Sequence, residues 1–312
     1  MFGREKDIME TADAVEGSWV YRRAPMAVRP YLKLARLDRP VGTWLLLWPC
    51  LWSMALSIVG YSLLELGYVA LLFAIGALVM RGAGCTYNDI VDADIDEKVE
   101  RTRSRPIPAG EISKKQAWVF LISQCLIGLV VLLQFNLFTI YLGIASLALV
   151  AAYPFMKRIT GWPQAWLGLT FNWGALMGWS ALDGTLSPAA IALYGACVFW
   201  TLGYDTIYAH QDKEDDALIG IGSTALTLGD KTKQALWVFY GLFFIGLVAA
   251  GMLANLGLIF YVGTAIAGTQ LISQIRTVDL DDPDACLNVF RSNIEFGGVV
   301  LLVILFGHYT VW

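Results

Sequence analysis

Charge is scarce in this sequence. Only 15% of its 312 residues are Asp, Glu, Lys or Arg, where a soluble domain carries roughly 25%, so an ordinary water-soluble globule is excluded. Histidine occurs twice, and the five cysteines (Cys50, Cys85, Cys125, Cys197 and Cys286) are far apart with no CxxC pair. Most of those cysteines sit inside apolar runs and read as small buried side chains, not as a disulfide framework or a thiol-ligated metal. There is no basic excess either: the net charge is −4, which leaves no footprint for nucleic acid. The first 30 residues lack an apolar core of signal-peptide type, and Glu5, Asp7, Glu10, Asp13 and Glu16 argue against an acid-poor transit peptide. Residues 1–33 are therefore expected to form a soluble, partly disordered arm, and residues 34–312 a membrane domain. The expected location is a bacterial inner membrane.

What the chain has in abundance is apolar length. Hydrophobic residues make up 57% and the mean hydropathy is +0.59. Spanning a bilayer core of roughly 30 Å takes about 20 apolar residues. Nine windows meet that length, near 41–60, 66–86, 117–134, 137–156, 164–182, 188–207, 235–254, 256–275 and 294–312. The 12 Trp and 13 Tyr suit two membrane–water interfaces. The fold class expected is an all-α integral membrane protein of about nine transmembrane helices. All 22 Lys and Arg fall on one side, in the N-terminal arm, the Arg81-to-Lys115 segment, Lys157–Arg158, the Lys213-to-Lys233 segment and at Arg276 and Arg291, whereas Gly60–Leu66, Gln134–Asn136, Asp183–Pro188 and Ala254–Leu256 carry none. By the positive-inside rule the N-terminus is expected to be cytoplasmic.

Two connections on the basic side are long, roughly 87–116 and 208–234, and each opens on an acidic stretch. The first reads Asn88-Asp89-Ile90-Val91-Asp92-Ala93-Asp94-Ile95-Asp96; the second runs from Tyr208 to Asp216, with Asp212 and Asp216 standing 120 positions after Asp92 and Asp96. That register predicts an internal four-helix repeat. On a continuing helix Asn88, Asp92 and Asp96 share one face with Asp89 on its flank, and Tyr208, Asp212 and Asp216 repeat the pattern. Carboxylates gathered without His or Cys select a hard cation, with Mg²⁺ the default. Arg101, Arg103 and Arg105 follow the first motif, and Lys157 and Arg158 lie between the two motifs. Bases beside metal-binding acids make a clamp for a phosphate-bearing ligand. A transporter is the rival class, but the predicted helix centres are almost free of charge and the acids gather at one surface.

The motif NDxxDxxxD at Asn88–Asp96, followed by Arg101 and Arg105-Pro106, resembles the first signature of the UbiA superfamily of intramembrane prenyltransferases. Asp212–Asp216 resembles the second. The segments Arg36-Leu37-Asp38-Arg39-Pro40-Val41-Gly42, Tyr153-Pro154-x-x-Lys157-Arg158, Asn172-Trp173-Gly174 and Asp205–Asp212 are similar to the branch that prenylates 4-hydroxybenzoate in ubiquinone synthesis. The resemblance runs from about Leu34 to the C-terminus. It implies a bundle around a central cavity, a polyprenyl diphosphate donor, an aromatic acid acceptor and a Mg²⁺ requirement. It further implies that Asn88, Asp89, Asp92, Asp96, Asp212 and Asp216 hold the metal, and that Arg101, Arg105, Lys157 and Arg158 neutralise the diphosphate. Arg36 and Arg39 are the candidates for the acceptor carboxylate, because a guanidinium fork matches it. Tyr153 and Tyr208, with Tyr87 and Trp173, are candidates to face an allylic cation. Another acceptor within the superfamily (a naphthoquinone precursor, a tetrapyrrole or a lipid) stays open. Asn172 reads as a helix-packing or substrate-orienting amide, His210 as a surface residue, and His308 as remote from the chemistry.

Overall fold

The computed structural model describes residues 17–99 and 102–310, all of them helix, turn or irregular chain, with no strand among them. In chain order the helices are α1 (Trp19–Arg22), α2 (Arg29–Leu34), α3 (Val41–Leu56), α4 (Leu63–Asp96), α5 (Lys114–Leu132), α6 (Leu137–Ile159), α7 (Pro163–Phe171) and α8 (Gly174–Asp183). They continue with α9 (Pro188–Ala209), α10 (Lys213–Ile219), α11 (Thr224–Leu228), α12 (Thr232–Leu253), α13 (Leu258–Thr277) and α14 (Pro283–Gly307). Among the described residues, seven helical stretches are long and apolar enough to cross a membrane. Two of the nine expected windows fall short of a continuous span: α3 has 16 residues, and the window 164–182 is split into α7 and α8.

The chain divides into two compact units, Met1–Gly42 with Leu78–Leu129, and Thr43–Ala77 with Val130–Trp312. The core of the first is built from Leu34, Ala83, Ile90, Ala93, Ile107, Ile112, Ala117 and Leu121. Gly82 lets its helix come close to α5, since a Cβ there would meet Gln124 at 2.6 Å and Ala35 at 3.1 Å. Of the arm expected to be soluble and partly disordered, residues 1–16 lie outside the described residues, and residues 17–33 hold α1 and most of α2. The Tyr21 hydroxyl donates to Asp38 at 3.1 Å, and Lys33 pairs with Glu111 at 2.7 Å.

In the second unit the large aromatic rings gather. Trp52, Trp200, Phe243 and Phe296 are fully buried, with the Trp52 and Trp200 rings 4.9 Å apart. Each indole N–H has an acceptor: Trp52 donates to the Gly297 carbonyl at 2.8 Å and Trp200 to Asn293 Oδ1 at 2.9 Å. An indole N–H without an acceptor in an apolar interior would carry a desolvation penalty. The outward faces of α5 and α6 carry exposed Ile, Leu, Val and Tyr such as Ile122, Leu126, Tyr141 and Ile144, as lipid-facing helices do.

The break between α7 and α8 has an identifiable chemistry. The Asn172 side-chain amide donates both to the Gly168 carbonyl at 2.7 Å and to Thr201 Oγ1 at 2.7 Å, competing with the backbone for the helix ladder. The Tyr194 hydroxyl donates to the Leu169 carbonyl at 2.9 Å, satisfying an acceptor that a broken helix would otherwise leave bare in lipid.

Candidate active site

Helix α4 is 34 residues long, so it measures about 51 Å at 1.5 Å per residue. That exceeds a bilayer core of about 30 Å by several turns. The first acidic motif occupies the final turns, and the helix ends at Asp96 itself, as the spacing of the acids requires. Asp89 and Asp92 are fully buried and Asp96 is nearly so, at 3% exposure; Asn88 is half-buried. Burying three carboxylates together is unfavourable unless cations meet them, and arginines meet Asp89 and Asp96. Arg36 Nη2 donates to Asp89 Oδ1 at 2.6 Å. Arg105 Nη1 lies 3.3 Å from the same oxygen and 2.7 Å from Asp96 Oδ2. The second Asp89 oxygen, Oδ2, is buried with no hydrogen-bond partner. Thr102 fixes the turn after the motif by donating to the Asp96 carbonyl at 3.0 Å. Farther out, Lys114 reaches Asp94 at 3.0 Å on the exposed side of the helix.

Arg36 is tightly held in this unit. It is 7% exposed and adopts φ +58°, a left-handed conformation rare for a residue with a long side chain. Nη2 is engaged by Asp89, and Nη1 donates to the Lys33 carbonyl at 3.0 Å. Burial pulls its guanidinium down, but Asp89, Cys85 and Asp38 outweigh that and hold it above its ordinary value. Both terminal nitrogens of the fork expected to take an acceptor carboxylate are thus bound within the chain. Arg39 is half-buried, with Nε 3.6 Å from Asp38 Oδ1.

The second motif belongs to the other unit. The face expected to carry Tyr208, Asp212 and Asp216 is interrupted, because α9 ends at Ala209 and His210–Asp212 form a 3-10 turn before α10. The tighter winding of three residues per turn breaks the i, i+4 register. Asp212 and Asp216 are half-buried. His210, expected at the surface, is buried at 7% exposure, its Nε2 3.3 Å from Thr232 Oγ1. Tyr208 packs on Phe290 with ring centroids 4.3 Å apart.

Lys157 and Arg158 end α6 in this same unit, and they are tied to the loop that follows the second motif. Helix α10 stops at Gly220, in the left-handed conformation at φ +77°. Two residues later the Gly222 N–H donates to the Lys157 carbonyl at 2.7 Å. Thr227 Oγ1 donates to the Gly161 carbonyl at 2.9 Å, and the Thr224 N–H to Gln164 Oε1 at 3.0 Å. Lys157 and Tyr153 are half-buried, whereas Arg158 is exposed and stacks its guanidinium over Phe155 at 5.9 Å. Gly222 was not among the sequence candidates; a lone glycine in a loop gives no sign of a partner 65 positions earlier. Arg101, expected at the diphosphate, lies outside the described residues. Among the described residues no three His, Cys, Asp or Glu side chains converge to hold a metal unaided.

Residues 46–297 match the model of the UbiA prenyltransferase family. The chain is 50% identical over 309 residues to the mitochondrial 4-hydroxybenzoate polyprenyltransferase of Arabidopsis thaliana, covering 97% of this chain and 75% of that one. It is likewise 50% identical over 291 residues to the protein of the same name from Rattus norvegicus, covering 93% and 77%. Among solved structures, a UbiA homolog from Aeropyrum pernix K1 superposes with a TM-score of 0.67 at 26% identity, over 86% of this chain and 96% of that one. A UbiA homolog from Archaeoglobus fulgidus solved with GPP and Mg²⁺ has the same fold, with a TM-score of 0.63 at 20% identity over 90% and 99%. That homolog has also been solved with Cd²⁺. The chain belongs to the UbiA prenyltransferase family. These relatives overturn the expected bacterial inner membrane and, with it, the cytoplasmic label of the basic side, since both proteins are mitochondrial by name. The acids among the first 16 residues, on which that expectation rested, describe the charge of an arm and do not distinguish one bilayer from another.

Proposed function

We propose that this chain transfers a polyprenyl group from a polyprenyl diphosphate to the ring carbon ortho to the hydroxyl of 4-hydroxybenzoate, in a mitochondrial membrane and with Mg²⁺. The observation that carries this reading is identity of one half, over more than nine-tenths of the chain, to 4-hydroxybenzoate polyprenyltransferases of a plant and a mammal. In the reaction the allylic C–O bond of the donor breaks and diphosphate leaves with the electron pair. A C–C bond then forms to the ring, and the ring proton is lost.

The donor chemistry of each acidic motif suits Mg²⁺, which takes hard oxygen ligands and keeps places for water and phosphate. The buried Asp89 Oδ2, without a hydrogen-bond partner, fits that habit. Asn88, Asp89, Asp92 and Asp96 in the first motif, and Asp212 and Asp216 in the second, are the proposed ligands. The chemistry Mg²⁺ supplies when bound is withdrawal of charge from the leaving diphosphate. Lys157, Arg158 and Arg105 add positive charge at the same oxygens, with Arg101 assigned there from the sequence motif. Tyr153 and Tyr208 offer ring faces to the allylic cation, in an apolar setting that keeps water from quenching it. Arg39 is the proposed partner of the acceptor carboxylate.

The test uses the purified chain in lipid nanodiscs with ring-labelled 4-hydroxybenzoate and geranyl diphosphate. Labelled lipid-soluble product formed only with Mg²⁺ is expected. Folded protein that prenylates a naphthoate or a tetrapyrrole but not 4-hydroxybenzoate would overturn the acceptor assignment.

A further inference from the structure

Asp89 is a buried carboxylate with two arginines on one oxygen, and the two contacts are unequal. Arg36 reaches Asp89 Oδ1 at 2.6 Å, with both partners buried. It is locked from behind by its Nη1 bond to the Lys33 carbonyl and by a left-handed backbone at φ +58°. A bulky residue keeps that conformation only where its surroundings over-determine it. Arg105 reaches the same oxygen at 3.3 Å and turns the same nitrogen toward Asp96 Oδ2 at 2.7 Å. It comes from the loop beyond the helix and is more exposed, at 16% against 8% for Arg36. Along α4, Asp89 and Asp96 are seven positions apart, two helical turns on one face, so a single guanidinium nitrogen spans them.

One arginine suffices to neutralise Asp89. The other therefore serves Asp96, the neighbour that carries a proposed metal ligand. We infer that Arg105 is an exchangeable resident cation. Without ligand it occupies the electrostatic place of the divalent ion at Asp96; when metal and diphosphate arrive together it releases Asp96 and passes to the diphosphate oxygens. Arg36 is a positioning residue that keeps Asp89 neutralised throughout, so that losing Arg105 does not strand a buried charge. The inference rests on the proposed metal–diphosphate role of the first motif and goes beyond it by giving Arg105 opposite effects on the two ligands. The metal alone must compete with Arg105, whereas diphosphate recruits it.

The test measures Mn²⁺ binding by electron paramagnetic resonance on the full chain in nanodiscs, with and without inorganic pyrophosphate and with no turnover. Replacing Arg105→Met should tighten Mn²⁺ alone by about tenfold or more, the scale of a charge-assisted hydrogen bond. The same variant should weaken pyrophosphate binding by a similar factor. Arg105→Gln, which keeps donors but no charge, should behave alike and serves if the Met variant does not fold. Arg105→Lys should stay near wild type. Arg36→Met should weaken Mn²⁺ binding with or without pyrophosphate and leave the KM for 4-hydroxybenzoate unchanged. Mn²⁺ affinity that is unchanged or weaker in Arg105→Met, in a chain that binds Mn²⁺ normally, overturns the exchange and leaves the metal reading intact. A wild-type chain that binds no Mn²⁺ even with pyrophosphate overturns both.

Discussion

Gly222 is the sharpest place to perturb the loop that follows the second acidic motif. Its N–H holds the Lys157 carbonyl at 2.7 Å, and a Cβ there would stand 2.2 Å from the Thr160 carbonyl oxygen and 3.1 Å from Gly161 Cα. Those neighbours are backbone atoms with no rotamer to yield. Ordinary contact needs roughly 3.5 Å, so Gly222→Ala must part the loop from the end of α6 by about 1 Å. Overpacking of this kind costs about 1–3 kcal/mol, with about 1 kcal/mol more for the lost hydrogen bond. Displacing a charge-stabilising group by about 1 Å lowers turnover by about 100-fold. The expected outcome is a chain that folds, with kcat for prenylation of 4-hydroxybenzoate down about two orders of magnitude. Gly220→Ala is the matched control: its φ is +77° with open space around the position, so it strains the backbone by about 1–2 kcal/mol without pushing on Lys157. Both variants are assayed in nanodiscs with saturating geranyl diphosphate and Mg²⁺, alongside thermal unfolding. Wild-type kcat in Gly222→Ala would refute the reasoning. So would equal losses of activity in both variants at equal stability, because general loosening would then explain them.

Asp92→Ala and Asp212→Ala should each lower Mg²⁺-dependent product by about 100-fold or more, the loss typical of a preorganised charge-stabilising group; product formation at wild-type level in either would remove that motif from the site. Chelating the divalent ion with excess EDTA should abolish product, and added Mg²⁺ should restore it within the same preparation. Trp200→Ala empties the aromatic core and leaves Asn293 Oδ1 without its donor, so a loss of about 3–5 kcal/mol is expected in denaturant unfolding. Tyr194→Phe frees the Leu169 carbonyl at the α7–α8 break and should destabilise by about 1–3 kcal/mol, measured the same way, with the KM for 4-hydroxybenzoate unchanged.

Most helices were legible because an apolar run of about 20 residues has few other uses. The break inside 164–182 was not, since a window average passes over two residues such as Asn172 and Trp173, and what stabilises the break is Tyr194 and Thr201 on a later helix. The first acidic motif kept its helical register to Asp96, so its spacing could be taken at face value. The second lost its register to a 3-10 turn at His210–Asp212, a change of winding that composition does not announce. Arg36 is the clearest case of a candidate residue with an unexpected partner. A basic residue before a membrane helix suggests a ligand or an interface anchor, but its carboxylate lies 53 positions away and only the folded first unit brings them together. Burial gives the same lesson at His210, which reads as a surface residue because its motif offers it no partner ligands and yet is buried. The acceptor came from resemblance alone, because no spacing of residues specifies an aromatic acid.

The interruption at Asn172 also constrains how the chain is made. Helices α7 and α8 have nine and ten residues, about 14 and 15 Å each, and either is half a bilayer core of about 30 Å. An insertion machinery that reads the nascent chain one span at a time meets two half-spans with open hydrogen-bonding groups at the joint. Tyr194 and Thr201, which satisfy those groups, follow the whole segment in chain order. Residues 163–183 are therefore expected to enter lipid together with α9, which makes the smallest unit of insertion here a pair of neighbouring segments and not a single helix.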